Sequence, residues 1–188
     1  FLKRHPKIKK KSFLIYLGRF HKKKGCDILL KSIKILNDQN IKLNLFMAGP
    51  ENEYKNYLKK ICENLKIKNQ IYWSSMLNGY EKWGAIYSSK AMVLASHGEN
   101  FGLSLAESLS CSKPVLITNK VNIYKSIIKS KSGLVAKDNV KDFACILKEF
   151  NKFNKKKIQK ISKNSLQCFN DNFNLNFSND KLYKLLKD

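Results

Sequence analysis

His97-Gly98-Glu99-Asn100-Phe101-Gly102-Leu103-Ser104-Leu105-Ala106-Glu107 is the stretch on which the reading of this 188-residue chain turns. Two carboxylates stand eight positions apart, with a Phe-Gly step between them where a helix should begin. The apolar run Ala91-Met92-Val93-Leu94-Ala95 leads in and reads as a buried strand, and Pro114-Val115-Leu116-Ile117 supplies a second strand after the helix. Strand, glycine-bearing loop, helix and strand form a βαβ unit. In open α/β sheets ligands bind beyond the C-terminal ends of the strands, where this loop lies. The helix N-terminus offers unpaired N–H groups and a positive dipole end, which suit a phosphate. Glu99, before the helix, can accept hydrogen bonds from sugar hydroxyls, and Glu107, just over a turn into it, can do the same for a ribose. The pattern fits a diphosphate flanked by two sugars.

Outward from this unit, strands and helices alternate. Phe13 to Leu17 is a strand, followed by a basic loop from Gly18 to Gly25 and a helix over Cys26 to Asn37, in which Ile28, Leu29, Ile33 and Leu36 recur near helical spacing. Leu43 to Ala48 is a strand stopped by Gly49-Pro50. A helix over Glu51 to Leu65, a strand over Gln70 to Ser74 and a helix over Tyr80 to Ser89 come next. Beyond the central unit follow a helix near Ile123–Lys129, a short strand Gly133 to Ala136, and helices over 140–150, 154–168 and 177–187. Such alternation predicts an α/β fold: a single Rossmann-like domain with a parallel sheet of about six strands and helices on both faces. Residues 1–11 read as a basic linker and 12–188 as the domain with its helical tail. The chain begins with Phe1, which points to a piece of a longer protein.

Composition narrows the function classes. The formal charge is +23, from 37 Lys and Arg against 14 Asp and Glu, which invites a nucleic-acid reading. The cations are almost all lysine, only Arg4 and Arg19 being arginine, and they run along the whole chain among Asn and Ile. No helix-turn-helix, zinc finger or aromatic RNA-binding signature accompanies them. No specific nucleic-acid partner is therefore expected, whereas weak polyanion adhesion and contact with an anionic membrane surface are. The five cysteines are scattered with no Cys-x-x-Cys spacing, and the three histidines have no metal-ligand spacing, so neither a disulfide framework nor a metal is expected and a reducing, cytoplasmic compartment is.

The loop Gly18-Arg19-Phe20-His21-Lys22-Lys23-Lys24-Gly25 sits straight after the first strand, where Arg19 and Lys24 can reach a diphosphate; Lys22 and Lys23 read as a solvated basic turn. For Glu107, the apolar neighbours Leu105, Ala106 and Leu109 mean that the acid needs a partner. His97 reads as a loop residue lining the site, with a general base as the alternative. Ser96 can cap the turn or touch phosphate. Trp73 and Trp83 read as apolar packing residues. A pair of glycosidase carboxylates is the rival catalytic idea, though nothing in the sequence requires it.

Taken together, Gly18-Arg19 with Lys24-Gly25, Ala48-Gly49-Pro50, Ser96 to Leu103 with Glu107, Lys113-Pro114-Val115 and Gly133-Leu134-Val135 resemble, in this order, the C-terminal half of the group 1, family 4 glycosyltransferases. These are retaining enzymes of GT-B fold. The resemblance implies transfer of a hexose from a nucleoside-diphosphate sugar to a hydroxyl acceptor without a metal or resident cofactor, in the synthesis of cell-surface polysaccharide or glycoconjugate. It implies that Arg19 and Lys24 hold the diphosphate, helped by the backbone N–H groups after the Phe-Gly, at Leu103 and Ser104, and that Phe101 and Gly102 are among the residues that bind the nucleotide sugar. It places Glu99 on the donor sugar, Glu107 on the ribose, and Gly18, His97, Ser75 and Met76 around the nucleotide. It further implies that an N-terminal acceptor-binding domain precedes this one, and that the isolated half is inactive. Ala95 stands where the family often has Pro, Ser75 where a Gly commonly follows the third strand, and Asn119-Lys120-Val121-Asn122 where a Gly-Gly step is common. The alternative is a non-catalytic nucleotide- or polyanion-binding module.

Overall fold

Four- and five-residue apolar runs bounded by glycine, proline or polar residues are too short for helices and too uniformly apolar for a half-exposed sheet, so they form strands covered on both faces. In the computed structural model, which describes residues 1–174, six parallel strands result: β1 (Phe13–Leu17), β2 (Asn44–Ala48), β3 (Ile71–Ser74), β4 (Met92–Leu94), β5 (Val115–Thr118) and β6 (Gly133–Ala136), in the spatial order β3-β2-β1-β4-β5-β6. The helices between them are α1 (Cys26–Asp38), α2 (Glu53–Asn64), α3 (Gly79–Ser88), α4 (Leu103–Ser110) and α5 (Tyr124–Ser130), with α6 (Val140–Asn151) and α7 (Lys155–Asn172) after the sheet. The expected helix over 177–187 lies outside the described residues.

Chain order reverses between β1 and β4, which pair through Ile15 and Met92. Such a switch point leaves a crevice at the C-terminal ends of the strands, because the connections on either side leave in opposite directions. Ile15, Leu45, Met47, Val115, Leu116 and Ile117 are essentially fully buried under the helices. Each contributes roughly 1.5–3 kcal/mol of burial free energy. The face of α1 predicted from its periodicity is the buried one: Leu29 and Ile33 are fully covered and Leu36 nearly so, with α6 packed against them. The helix α7 packs across α4 and α5.

The segment 1–11 is a correction to the sequence reading. It does not act as a free linker but folds in turns onto the sheet. The Phe1 ring meets Phe46 edge-on at 5.1 Å, Ile8 is 1% exposed, and Arg4 and His5 both reach Glu81 of α3. Its lysines conceal two apolar anchors set far enough apart to reach the core from opposite ends of the segment.

Candidate functional site

Two loops build the crevice. The first leaves β1 at Gly18-Arg19, where the buried Tyr16 hydroxyl donates to the Arg19 carbonyl at 2.8 Å and the Asn52 side chain donates to the Phe20 carbonyl at 2.8 Å. It then makes a 3-10 turn over Lys22–Lys24 and reaches Gly25, whose φ of +61° belongs to the left-handed region. A Cβ on Gly25 would lie 1.8 Å from the Ala95 carbonyl oxygen, so only glycine lets this loop touch the end of β4. The second loop leaves β4 there. Ser96 Oγ and the His97 N–H both donate to the Lys23 carbonyl at 2.9 Å, and Thr118 Oγ1 donates to the Ser96 carbonyl. Glu99 is fixed by its own backbone: its N–H donates to the Lys120 carbonyl at 3.0 Å and its carbonyl accepts from the Asn122 N–H at 2.9 Å. The stretch 119–122, where the resemblance would place a Gly-Gly step, thus forms a bridge around the fully buried Val121 that holds the first acid.

Gly102, at φ +73°, turns the chain into α4, whose N-terminus carries no side-chain cap. Gly18, Arg19, Lys24 and Met76, with Glu99, Gly102, Leu103, Ser104 and Glu107, line a cavity of about 540 Å³ at the switch point. The residues predicted for diphosphate, sugar and ribose therefore converge. Within the cavity Lys24 Nζ pairs with Glu99 Oε2, the two side chains only 25% and 16% exposed. Arg19 makes no ion pair among the described residues, and the residue is exposed. A phosphate within about 4 Å of Arg19 or Lys24 would gain roughly 4 kcal/mol from each at an effective dielectric near 20, before desolvation. The uncapped α4 N-terminus adds its dipole and first N–H groups.

Three predicted residues do not join them. His97 turns its Nδ1 to the Asp138 carboxylate, 3.0 Å from Oδ2, and does not line the cavity. Phe101 packs edge-to-face on Phe173 at the end of α7, 5.5 Å between centroids, so of the Phe-Gly step only Gly102 lines the crevice. Ser75 is exposed beyond β3, outside the lining, while its neighbour Met76 is inside it. Ser96 caps the loop and does not project into the cavity.

The sequence reading missed Lys82. It comes from α3 and places its ammonium 2.5 Å from Glu107 Oε1, and so is the partner that the apolar surroundings of Glu107 demanded. It also missed Lys55 of α2, which is 1% exposed. Lys55 Nζ donates to the Ser74 carbonyl at 2.7 Å and to Glu51, and lies 5.3 Å from the centre of the Phe20 ring, so it ties together the chain just beyond β1, the entry to α2 and the end of β3.

A larger cavity, about 930 Å³, lies at the β3 edge against residues 4–11, floored by Phe46, Tyr72 and Trp73 and ringed by lysines. It contains none of the predicted site residues. Among the described residues no three His, Cys, Asp or Glu side chains gather as a metal site would require, and no helix is long and apolar enough to cross a membrane. Burial pushes the thiols of Cys26 and Cys62 up to about 12, which makes them inert as nucleophiles.

The same architecture recurs in known proteins. An uncharacterized glycosyltransferase of Methanocaldococcus jannaschii, MJ1178, is 30% identical over 132 residues, covering 68% of this chain and 34% of its own length. The crystal structure of Anabaena HepE in complex with UDP superposes with a TM-score of 0.84 at 16% identity, over 99% of this chain and 51% of that one. The C-terminal domain of a Francisella tularensis group 1 glycosyl transferase, crystallised by itself, matches with a TM-score of 0.77 at 19% identity, over 92% of this chain and 91% of that domain. The chain thus spans about a third of that curated relative's length and corresponds to one half of a GT-B fold. The family model for glycosyl transferases of group 1 matches residues 1–167, and with the crevice loops falling where the sheet reverses, the chain belongs to that family.

Proposed function

We propose that this chain is the donor-binding half of a hexosyltransferase that moves a sugar from a nucleoside diphosphate to a hydroxyl acceptor with retention of configuration. The observation that carries the reading is the convergence of Arg19, Lys24 and the uncapped α4 N-terminus on one cavity with Glu99 and Glu107. That set can neutralise a diphosphate and accept hydrogen bonds from a sugar on either side of it. That a neighbour of the same fold was crystallised in complex with UDP supports a nucleotide as the ligand.

In the reaction the bond from the anomeric carbon to the diphosphate oxygen breaks, and the acceptor oxygen bonds to that carbon on the same face. The acceptor's proton passes to the departing diphosphate oxygen. Charge gathers on the diphosphate in the transition state, and Arg19, Lys24 and the α4 N–H groups are placed to stabilise it. This leaves no step that needs a metal or a resident cofactor. When the donor arrives, its diphosphate draws Lys24 from Glu99 and frees that carboxylate for the sugar hydroxyls. The acceptor is held by a second domain across the cleft, so the 188-residue chain binds donor nucleotide weakly and does not transfer sugar, for want of positioning. The basic surface fits a place on the cytoplasmic face of an anionic membrane, with a cell-surface polysaccharide or glycoconjugate as the product.

Calorimetry of the chain against UDP, GDP and ADP tests the reading: one of them saturates a single site. If none binds while heparin binds tightly at physiological salt, the chain is a polyanion-binding module instead. A stereochemical assay of an intact enzyme built on this domain gives retention; inversion refutes the mechanism.

A further inference from the structure

Glu107 stands a full turn beyond Leu103 in α4, about 6 Å further along the axis at 1.5 Å per residue. That offset suits a ribose joined to a phosphate seated at the helix N-terminus. On its own helix its neighbours are the buried Leu105, Ala106 and Leu109, and its side chain is 18% exposed. A carboxylate so placed without a partner would turn outward to water, away from a ligand in the cavity. Lys82 holds it in. Its ammonium lies 2.5 Å from Oε1, and it is held from a second side by the Trp83 ring, 4.8 Å from the centroid. No partner is found for Glu107 Oε2 among the described residues, and both residues line the cavity.

We propose that Lys82 is a positioning residue: by occupying one oxygen of Glu107 it fixes the carboxylate's rotamer and turns the other oxygen to the ribose hydroxyls. The α3–α4 pair then distinguishes a ribonucleoside diphosphate from a bare diphosphate or a nucleotide without ribose hydroxyls. This rests on the donor-binding reading above, but assigns Lys82 to the ribose and not to the phosphates, which Arg19, Lys24 and α4 already serve.

The test is calorimetry of the full chain and its Lys82→Met and Lys82→Arg variants. The titrants are the tightest of UDP, GDP and ADP, its 2′,3′-dideoxy counterpart, and inorganic pyrophosphate. Lys82→Met should raise the Kd for the ribonucleotide about tenfold. Its Kd for pyrophosphate should stay within twofold, and it should no longer tell the ribonucleotide from the dideoxy form. Lys82→Arg should recover part of the discrimination. A parallel loss for pyrophosphate would make Lys82 a phosphate ligand and overturn the assignment, as would an unchanged ribonucleotide Kd in Lys82→Met. Should Lys82→Met fail to fold by thermal melting, Glu107→Gln decides: it keeps the shape, and it must abolish the discrimination while sparing pyrophosphate. If the unsubstituted chain binds no nucleoside diphosphate, the donor-binding reading falls and this assignment with it; if it binds one without discriminating against the dideoxy form, only this assignment falls.

Discussion

Two cavities among the described residues, the groove at the β3 edge and the crevice at the switch point, contrast in what surrounds them. The groove at the β3 edge is the larger, yet its one acid, Glu63, is matched by Lys68 on the open surface at 2.9 Å, with both side chains more than half exposed. Ion pairs of that kind contribute at most about 1 kcal/mol. The crevice at the switch point is smaller, but its acids meet lysines brought from other elements and largely withdrawn from water: Glu99 with Lys24 of the first loop, Glu107 with Lys82 of α3. Volume does not make a site. Charge of both signs, held by loops that cannot drift apart, does. On the proposed reading, the groove attracts polyanions of any shape, whereas the crevice orients one ligand.

The contrast can be broken most sharply at the contact between the crevice loops. Gly25→Val has nowhere to place its side chain, so we expect destabilisation of about 3 kcal/mol, roughly 6–12 °C in Tm by scanning fluorimetry, and no measurable nucleotide binding. Arg19→Ala comes next. This exposed residue makes no ion pair among the described residues, so stability should change by under about 0.5 kcal/mol, while nucleotide Kd rises about ten- to a hundredfold by calorimetry. An unchanged Kd would mean that the crevice is not the phosphate site. For the groove, Lys11→Ala with Lys68→Ala should leave nucleotide Kd within twofold and lower the log–log salt slope of duplex DNA binding by about 0.9 per lysine. A loss of nucleotide binding there would merge the two regions. The smallest effect concerns the thiols: at neutral pH a maleimide should label the exposed Cys145 and spare the buried Cys26 and Cys62, as read by mass spectrometry.

The sheet was legible in the sequence because apolar runs and their glycine or proline stops are local signals; β1 and β6 begin and end where the runs do. The backbone of the site was legible for the same reason, since the loops after β1 and β4 announce themselves by glycine. Side-chain direction was not. Whether His97 and Phe101 face the crevice depends on Asp138 and Phe173, far along the chain, which take them outward. Lys82 is separated from Glu107 by a strand and a loop, so no spacing rule links them. The one hint was an acid between apolar neighbours, which told of a missing partner without telling which. The segment 1–11 was misread because basic composition outweighed Phe1 and Ile8.

Lys55 gives the molecule a built-in gauge of local opening. Among the described residues it is the one buried lysine, its ammonium closed off by Phe20, Glu51 and the Ser74 carbonyl. An acylating reagent will modify the other amines at rates set by their exposure, but can reach this one only while α2 lifts from the sheet. The lag of that single acylation behind the rest measures how often the floor beneath the crevice comes apart.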